Sequence, residues 1–171
     1  MPVFTDIPQE AFVAAVLDLA AQLAADAWRP DFIIGVGRGG LVPAVFLSHA
    51  TGLPMLSVDH SSQVKDFADD ALVRLALRTR GGERLLFLDD INDSGRTITH
   101  LRTALTAAGS VAGAVRFATL IDNVSSAERV EYRHRTIDRR EVKDWFVFPW
   151  EAVAPAASVE ADAAEVPERI G

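Results

Sequence analysis

Apolar residues recur at helical spacing through Phe12, Val16, Leu19 and Leu23, so the pattern predicts an amphipathic helix over residues 9–27. Pro8 stands where a helix start tolerates proline, and Trp28-Arg29-Pro30 ends the run. Asp31–Val36 then becomes a short apolar block between Pro30 and Gly37, the signature of a buried strand. Gly37–Gly40 reads as a turn, Leu41–Ala50 as a helix closed by Gly52, and Pro54–Asp59 as a second strand. Residues 60–70 are polar and without period, as in an exposed loop. Val73, Leu75 and Leu77 alternate with Arg74 and Arg78, which predicts an edge strand with one wet face. Gly81-Gly82 is a turn. Arg84–Asp89 is the most strand-like run, followed by a helix over Gly95–Ala108 that stops at Gly109. Ala114–Ile121 predicts another buried strand, Val130–Thr136 a weaker one and Trp145–Phe148 a short apolar segment. From Ala152 the chain is rich in Ala, Glu and Pro.

Strands alternating with helices predict an α/β fold, a parallel sheet flanked by helices. Residues 1–151 form one such domain, and 152–171 read as a flexible tail or a short helix packed on a partner. Ligands of these sheets bind beyond the carboxyl ends of the strands, where the loops 35–40 and 89–97 both fall.

Composition narrows the partners. The 171 residues are 49% apolar, enough for a real core, and the net charge is −7. Such a chain repels nucleic acid and anionic membrane, so an anionic ligand must be held by local groups. Arg129, Arg133, Arg135, Arg139 and Arg140 cluster, but Glu128, Glu131, Asp138 and Glu141 interleave with them, as on a solvated face. Cysteine is absent, no stretch is apolar enough to span a bilayer, and the N-terminus lacks a basic leader, which together fit a cytoplasmic protein.

The candidate chemistry concentrates in Asp89-Asp90-Ile91-Asn92-Asp93-Ser94-Gly95-Arg96-Thr97. Two carboxylates at a strand end accept hydrogen bonds from a diol or help hold a divalent cation. The following helix N-terminus offers unpaired N–H groups to an anion, with Gly95 permitting close approach and Ser94 and Thr97 adding hydroxyls. Diol acceptors beside a phosphate cradle suit a ribose 5-phosphate. The plainer alternative is a capped helix after a solvated strand end.

This run resembles the phosphoribosyltransferase signature, with Ser94 where the family more often has Thr. The resemblance extends to Ile33–Pro43, similar to the family's pyrophosphate loop, and to Trp145–Glu151, similar to the base-binding end of xanthine-guanine phosphoribosyltransferases. It implies a type I phosphoribosyltransferase-like fold with a small C-terminal hood. The implied reaction moves 5-phosphoribose from phosphoribosyl pyrophosphate to a nitrogenous, purine-like base. It also implies Mg²⁺ assisted by Asp89 or Asp90, Arg38 and Gly39 on pyrophosphate, and Ser61 and Ser62 closing over it. Asp93 would lie nearest the base as proton acceptor or donor, with Trp145 or Phe146 stacking on it. In the family the Arg38–Gly39 peptide is often cis and a homodimer is common. One departure stands out: where the group has a Lys after the strand ending at Leu120-Ile121, this chain has Asp122-Asn123. An acceptor there would disfavour a 6-oxo group.

Two other readings compete. Gly35-Val36-Gly37-Arg38-Gly39-Gly40 also satisfies a dinucleotide fingerprint, with Asp59 near the end of the next strand. A non-catalytic phosphoribosyl pyrophosphate-binding regulator would use the same fold.

Overall fold

The computed structural model describes residues 3–59 and 68–164. Its main sheet has five parallel strands in the order β3-β2-β4-β5-β6. These are β2 (Phe32–Val36), β3 (Met55–Val58), β4 (Leu85–Asn92), β5 (Val115–Asn123) and β6 (Tyr132–Ile137). Two further parallel strands, β1 (Phe4–Asp6) and β7 (Trp145–Val147), form a separate small sheet. The helices are α1 (Gln9–Ala25), α2 (Gly37–Thr51), α3 (Ala68–Arg80), α4 (Arg96–Ala107) and α5 (Ala156–Ala164).

Both faces of the main sheet are covered, which is why the first half of β4, Leu85-Leu86-Phe87-Leu88, reads as an unbroken apolar run. Leu86 and Leu88 point into a core shared with Phe12, Leu19 and Leu47, from α1 and α2. Leu85 and Phe87 point the other way, into a core with Leu72, Leu75, Leu101 and Leu105, from α3 and α4. After β2 the chain winds outward to β3 and then crosses back to β4. The crevice between β2 and β4 is therefore the switch point where such sheets bind ligands.

Three local expectations are corrected. Residues 68–80 form a helix, not an edge strand. Leu72, Leu75, Ala76 and Thr79 are buried at helical spacing, while Val73 and Leu77 are 47% and 51% exposed. The alternation that suggested a strand was produced by Leu75 sitting between two exposed apolar residues. Gly37–Gly40 is the first turn of α2 and not a separate turn. The hood is built from both chain ends: Trp145 donates its N–H to the Val3 carbonyl, and Ile7 donates to Val147, so β1 completes it. Residues 156–164 are helical, with Ala163 buried.

Candidate active site

The site forms where α2 and α4 start. The N-cap residues Val36 and Gly95 supply no side-chain cap, so the first N–H groups of both helices lack a partner within their helix, the Arg96 N–H donating to Ser94 Oγ at 3.4 Å. Gly95 holds φ +88°, which lets β4 turn directly into α4, and a Cβ there would lie 2.9 Å from Ser126 Oγ. The two loops touch. A Cβ on Gly40 would lie 2.1 Å from the Leu88 carbonyl oxygen, and one on Gly39 would lie 2.5 Å from Asp90 Oδ2. Only glycine lets the Arg38 loop close against the end of β4.

Asp89 and Asp90 sit half-buried at that contact. Asp89 Oδ1 accepts the Asp90 N–H at 2.9 Å, and Asp90 Oδ1 accepts the Ile91 N–H at 2.7 Å. Burial, reinforced by the Asp90 carboxylate, pushes the Asp89 carboxyl well above the usual carboxylate range. Glu151 is raised too, first by burial and then by Asp90, with Arg38 opposing. Carboxyl groups thus crowd together at the end of β4, which suits a divalent cation or diol.

Asp93 is 8% exposed and paired with Arg139, whose Nε lies 3.0 and 3.2 Å from its two carboxylate oxygens. Arg139 Nη1 donates to the carbonyls of Val142 and Asp144, and its guanidinium lies 5.3 Å from the Phe146 ring centroid. Asn123 ties both partners down: its Nδ2 donates to the Asp93 carbonyl, and its Oδ1 accepts the Arg139 N–H. Between this pair and the hood lies a cavity of about 170 Å³, walled by Asp90, Ile91, Arg139, Trp145, Phe146 and Glu151, among others.

The structure brings Gly39 against Asp90, beside Asp89, and Arg38 close enough to Glu151 to oppose the rise of its carboxyl; Asp93 and Ser94 wall the neighbouring cavity with Asn123 and Arg139, and Gly95, Arg96 and Thr97 open α4. Arg38 and Arg96 are exposed. The Arg38–Gly39 peptide is trans, and no described peptide bond is cis. Trp145 lines the cavity half-exposed. Phe146 is 5% exposed and already carries the guanidiniums of Arg135 and Arg139 near its ring. Asp122 is placed elsewhere. Its Oδ1 accepts from Asn92 Nδ2 at 2.7 Å, Arg133 lies 3.8 Å away, and it walls neither the hood cavity nor the one outside Asp93. Ser61 and Ser62 lie outside the described residues. Arg139, Asn123 and Glu151 were missed as site residues. Arg139 was hidden in a mixed-charge run that reads as solvated; that reading suits Arg140, whose side chain is 78% exposed, but not Arg139 at 5%.

Comparison with known proteins agrees with this geometry. The family model for the phosphoribosyl transferase domain matches residues 5–155. A xanthine-guanine phosphoribosyltransferase of Idiomarina loihiensis is 30% identical over 125 residues, 70% of each chain. The crystal structure of a purine phosphoribosyltransferase from Pyrococcus horikoshii superposes with TM-score 0.63 at 25% identity, covering 88% of this chain and 96% of that one. A Neisseria gonorrhoeae protein crystallised with ppGpp bound superposes with TM-score 0.70 over 96% of this chain and 98% of that one; at 18% identity the likeness concerns the fold alone.

Proposed function

We infer that this chain, which belongs to the phosphoribosyl transferase domain family, moves 5-phosphoribose from phosphoribosyl pyrophosphate to a purine base. A ring nitrogen of the base bonds to ribose C1 as the C1–oxygen bond to pyrophosphate breaks, giving a nucleoside 5′-monophosphate. The carrying observation is the junction of the two loops: Gly39 and Gly40 press the start of α2 onto Asp90 and Leu88, beside the uncapped start of α4.

The positions of these residues support the following roles. The N–H groups opening α4, with Ser94 and Thr97, hold the 5′-phosphate. Asp89 and Asp90 accept from the ribose hydroxyls. Arg38 and the N–H groups opening α2 bind pyrophosphate and neutralise charge as it departs. Asp93 lies on the base side and accepts a proton or hydrogen bond from a ring N–H. Trp145 covers the base, and the hood above it excludes water from a cationic ribose. Asp89 and Asp90 would hold Mg²⁺, which would offset their crowded charge and help neutralise that of the departing pyrophosphate. The resemblance implies that Ser61 and Ser62 contact pyrophosphate and that the chain forms a homodimer, and the composition fits a cytoplasmic location. No described helix is long and apolar enough to cross a membrane.

The dinucleotide reading loses its support, because the family match absorbs its fingerprint into the pyrophosphate loop. Thermal unfolding tests the choice. Phosphoribosyl pyrophosphate with Mg²⁺ raises the melting temperature more than NAD does; a larger shift with NAD overturns the assignment.

A further inference from the structure

The hood cavity holds a cation that the roles above do not use. Among the described residues walling it, Arg139 is the one positive group, facing Asp90 and Glu151. It also walls the neighbouring cavity outside Asp93, with Ser94 and Asn123. Its guanidinium therefore stands between the hood and the phosphate loop, where a base joined to ribose must sit.

A guanidinium this buried is costly unless its N–H groups are satisfied. Nε is spent on Asp93, and Nη1 on the Val142 and Asp144 carbonyls. Nη2 is not among the hydrogen-bond donors within the described residues. Asn123 Oδ1 fixes the Arg139 main chain at 3.0 Å, so the planar fork has little freedom to turn away. A rigid donor beside a fixed carboxylate is a recognition pair: one presents N–H, and the other accepts it.

Resting on the transferase reading, we propose that Arg139 is a specificity-determining residue. Its Nη2 donates to an acceptor on the edge of the base while Asp93 takes a neighbouring N–H. The pair reads an oxo-substituted edge and disfavours an amino group facing Arg139, because two donors would then meet. This reverses the preference that Asp122 would impose, and Asp122 is held away by Asn92.

The alternative is a buckle that only ties the hood to the Asp93 loop. A buckle weakens every base alike; a reading residue changes the ratio between bases. Two measurements separate the possibilities. The first is the affinity of the intact protein for IMP and for AMP by calorimetry, which needs no turnover. The second is pyrophosphate release with hypoxanthine and with adenine. Arg139→Lys keeps the charge but not the fork. Because Arg139→Gln leaves Asp93 buried without its counter-charge, the double variant Asp93→Asn/Arg139→Gln is measured against Asp93→Asn.

The wild type is expected to bind IMP at least ~10-fold tighter than AMP, and replacing Arg139 by Gln should shrink that ratio by ~10-fold or more. An unchanged IMP-to-AMP ratio in both Arg139→Lys and the double variant overturns the role of Arg139, whatever the turnover. Failure to release pyrophosphate with these or any other free purine, alongside a ratio that shifts as expected, overturns the transferase reading and leaves the recognition role supported.

Discussion

Asp93 cannot be altered alone without consequence. Removing one member of a buried ion pair costs about 3–5 kcal/mol, because the other charge is stranded, and Asp93 and Arg139 are 8% and 5% exposed. Asp93→Asn should therefore lower stability as well as turnover. The double variant Asp93→Asn/Arg139→Gln should recover most of the stability but not the turnover, as read by denaturant midpoints and initial rates. Additive stability losses would show that the pair is not coupled. Asp89 behaves in the opposite way. Its carboxylate is crowded by burial and by Asp90, so Asp89→Asn, which keeps the oxygen that accepts the Asp90 N–H, relieves repulsion. The melting temperature should rise by about 2–4 °C for each kcal/mol gained, while the shift caused by phosphoribosyl pyrophosphate with Mg²⁺ collapses. A variant that is less stable yet binds normally would remove Asp89 from the site. At this scale the run Asp89–Thr97 was legible because its whole chemistry lies in nine consecutive residues. Arg139 was not, because its partner Asp93 lies 46 positions away and its neighbours carry mixed charge.

Among the elements, α2 depends on close approach. Gly40→Ala would put a methyl 2.1 Å from the Leu88 carbonyl oxygen, so α2 must shift away from β4. Binding of phosphoribosyl pyrophosphate should weaken at least ~10-fold and stability fall by about 1–3 kcal/mol, as in other overpacked sites; unchanged binding would mean that the junction does not shape the pyrophosphate loop. The alternating sheet and helices were legible because β2, β4 and β5 each carry a mostly apolar block, and Gly37, Gly82, Gly95 and Gly113 punctuate the chain around them. The helix at 68–80 was not, because Val73 and Leu77 are apolar but exposed, which imitates a strand's alternation. Nor was β1, a three-residue strand whose partner β7 is drawn from the far end of the chain.

For the whole molecule, the face opposite the site matters to stability. Asp26, at the end of α1, accepts from the Trp28 N–H, the Tyr132 hydroxyl and Arg116. Those bonds, the Trp28 N–H first, hold its carboxyl down at about 2, against 3.8 ordinarily. A depressed folded value means that the stabilisation is complete above the unfolded value and is lost as pH falls through the folded one. Wild-type stability should thus decline between pH ~4 and ~2, and Asp26→Asn should flatten that decline in urea titrations; an identical slope in the variant would remove Asp26 from the acid response. The site lies at the other end of the strands, so transferase activity near neutral pH should not follow this titration. The molecule thus separates a tethering network at the amino ends of β5 and β6 from a charged crevice at the carboxyl ends of β2 and β4.

The transfer itself is tested most directly by incubating the protein with phosphoribosyl pyrophosphate, Mg²⁺ and a panel of free bases, following pyrophosphate and nucleoside monophosphate together. Stoichiometric release of pyrophosphate with at least one purine, and none without a base, is the result predicted. Tight binding of phosphoribosyl pyrophosphate with no nucleotide formed from any base would contradict it and make the chain a binding protein on a transferase fold.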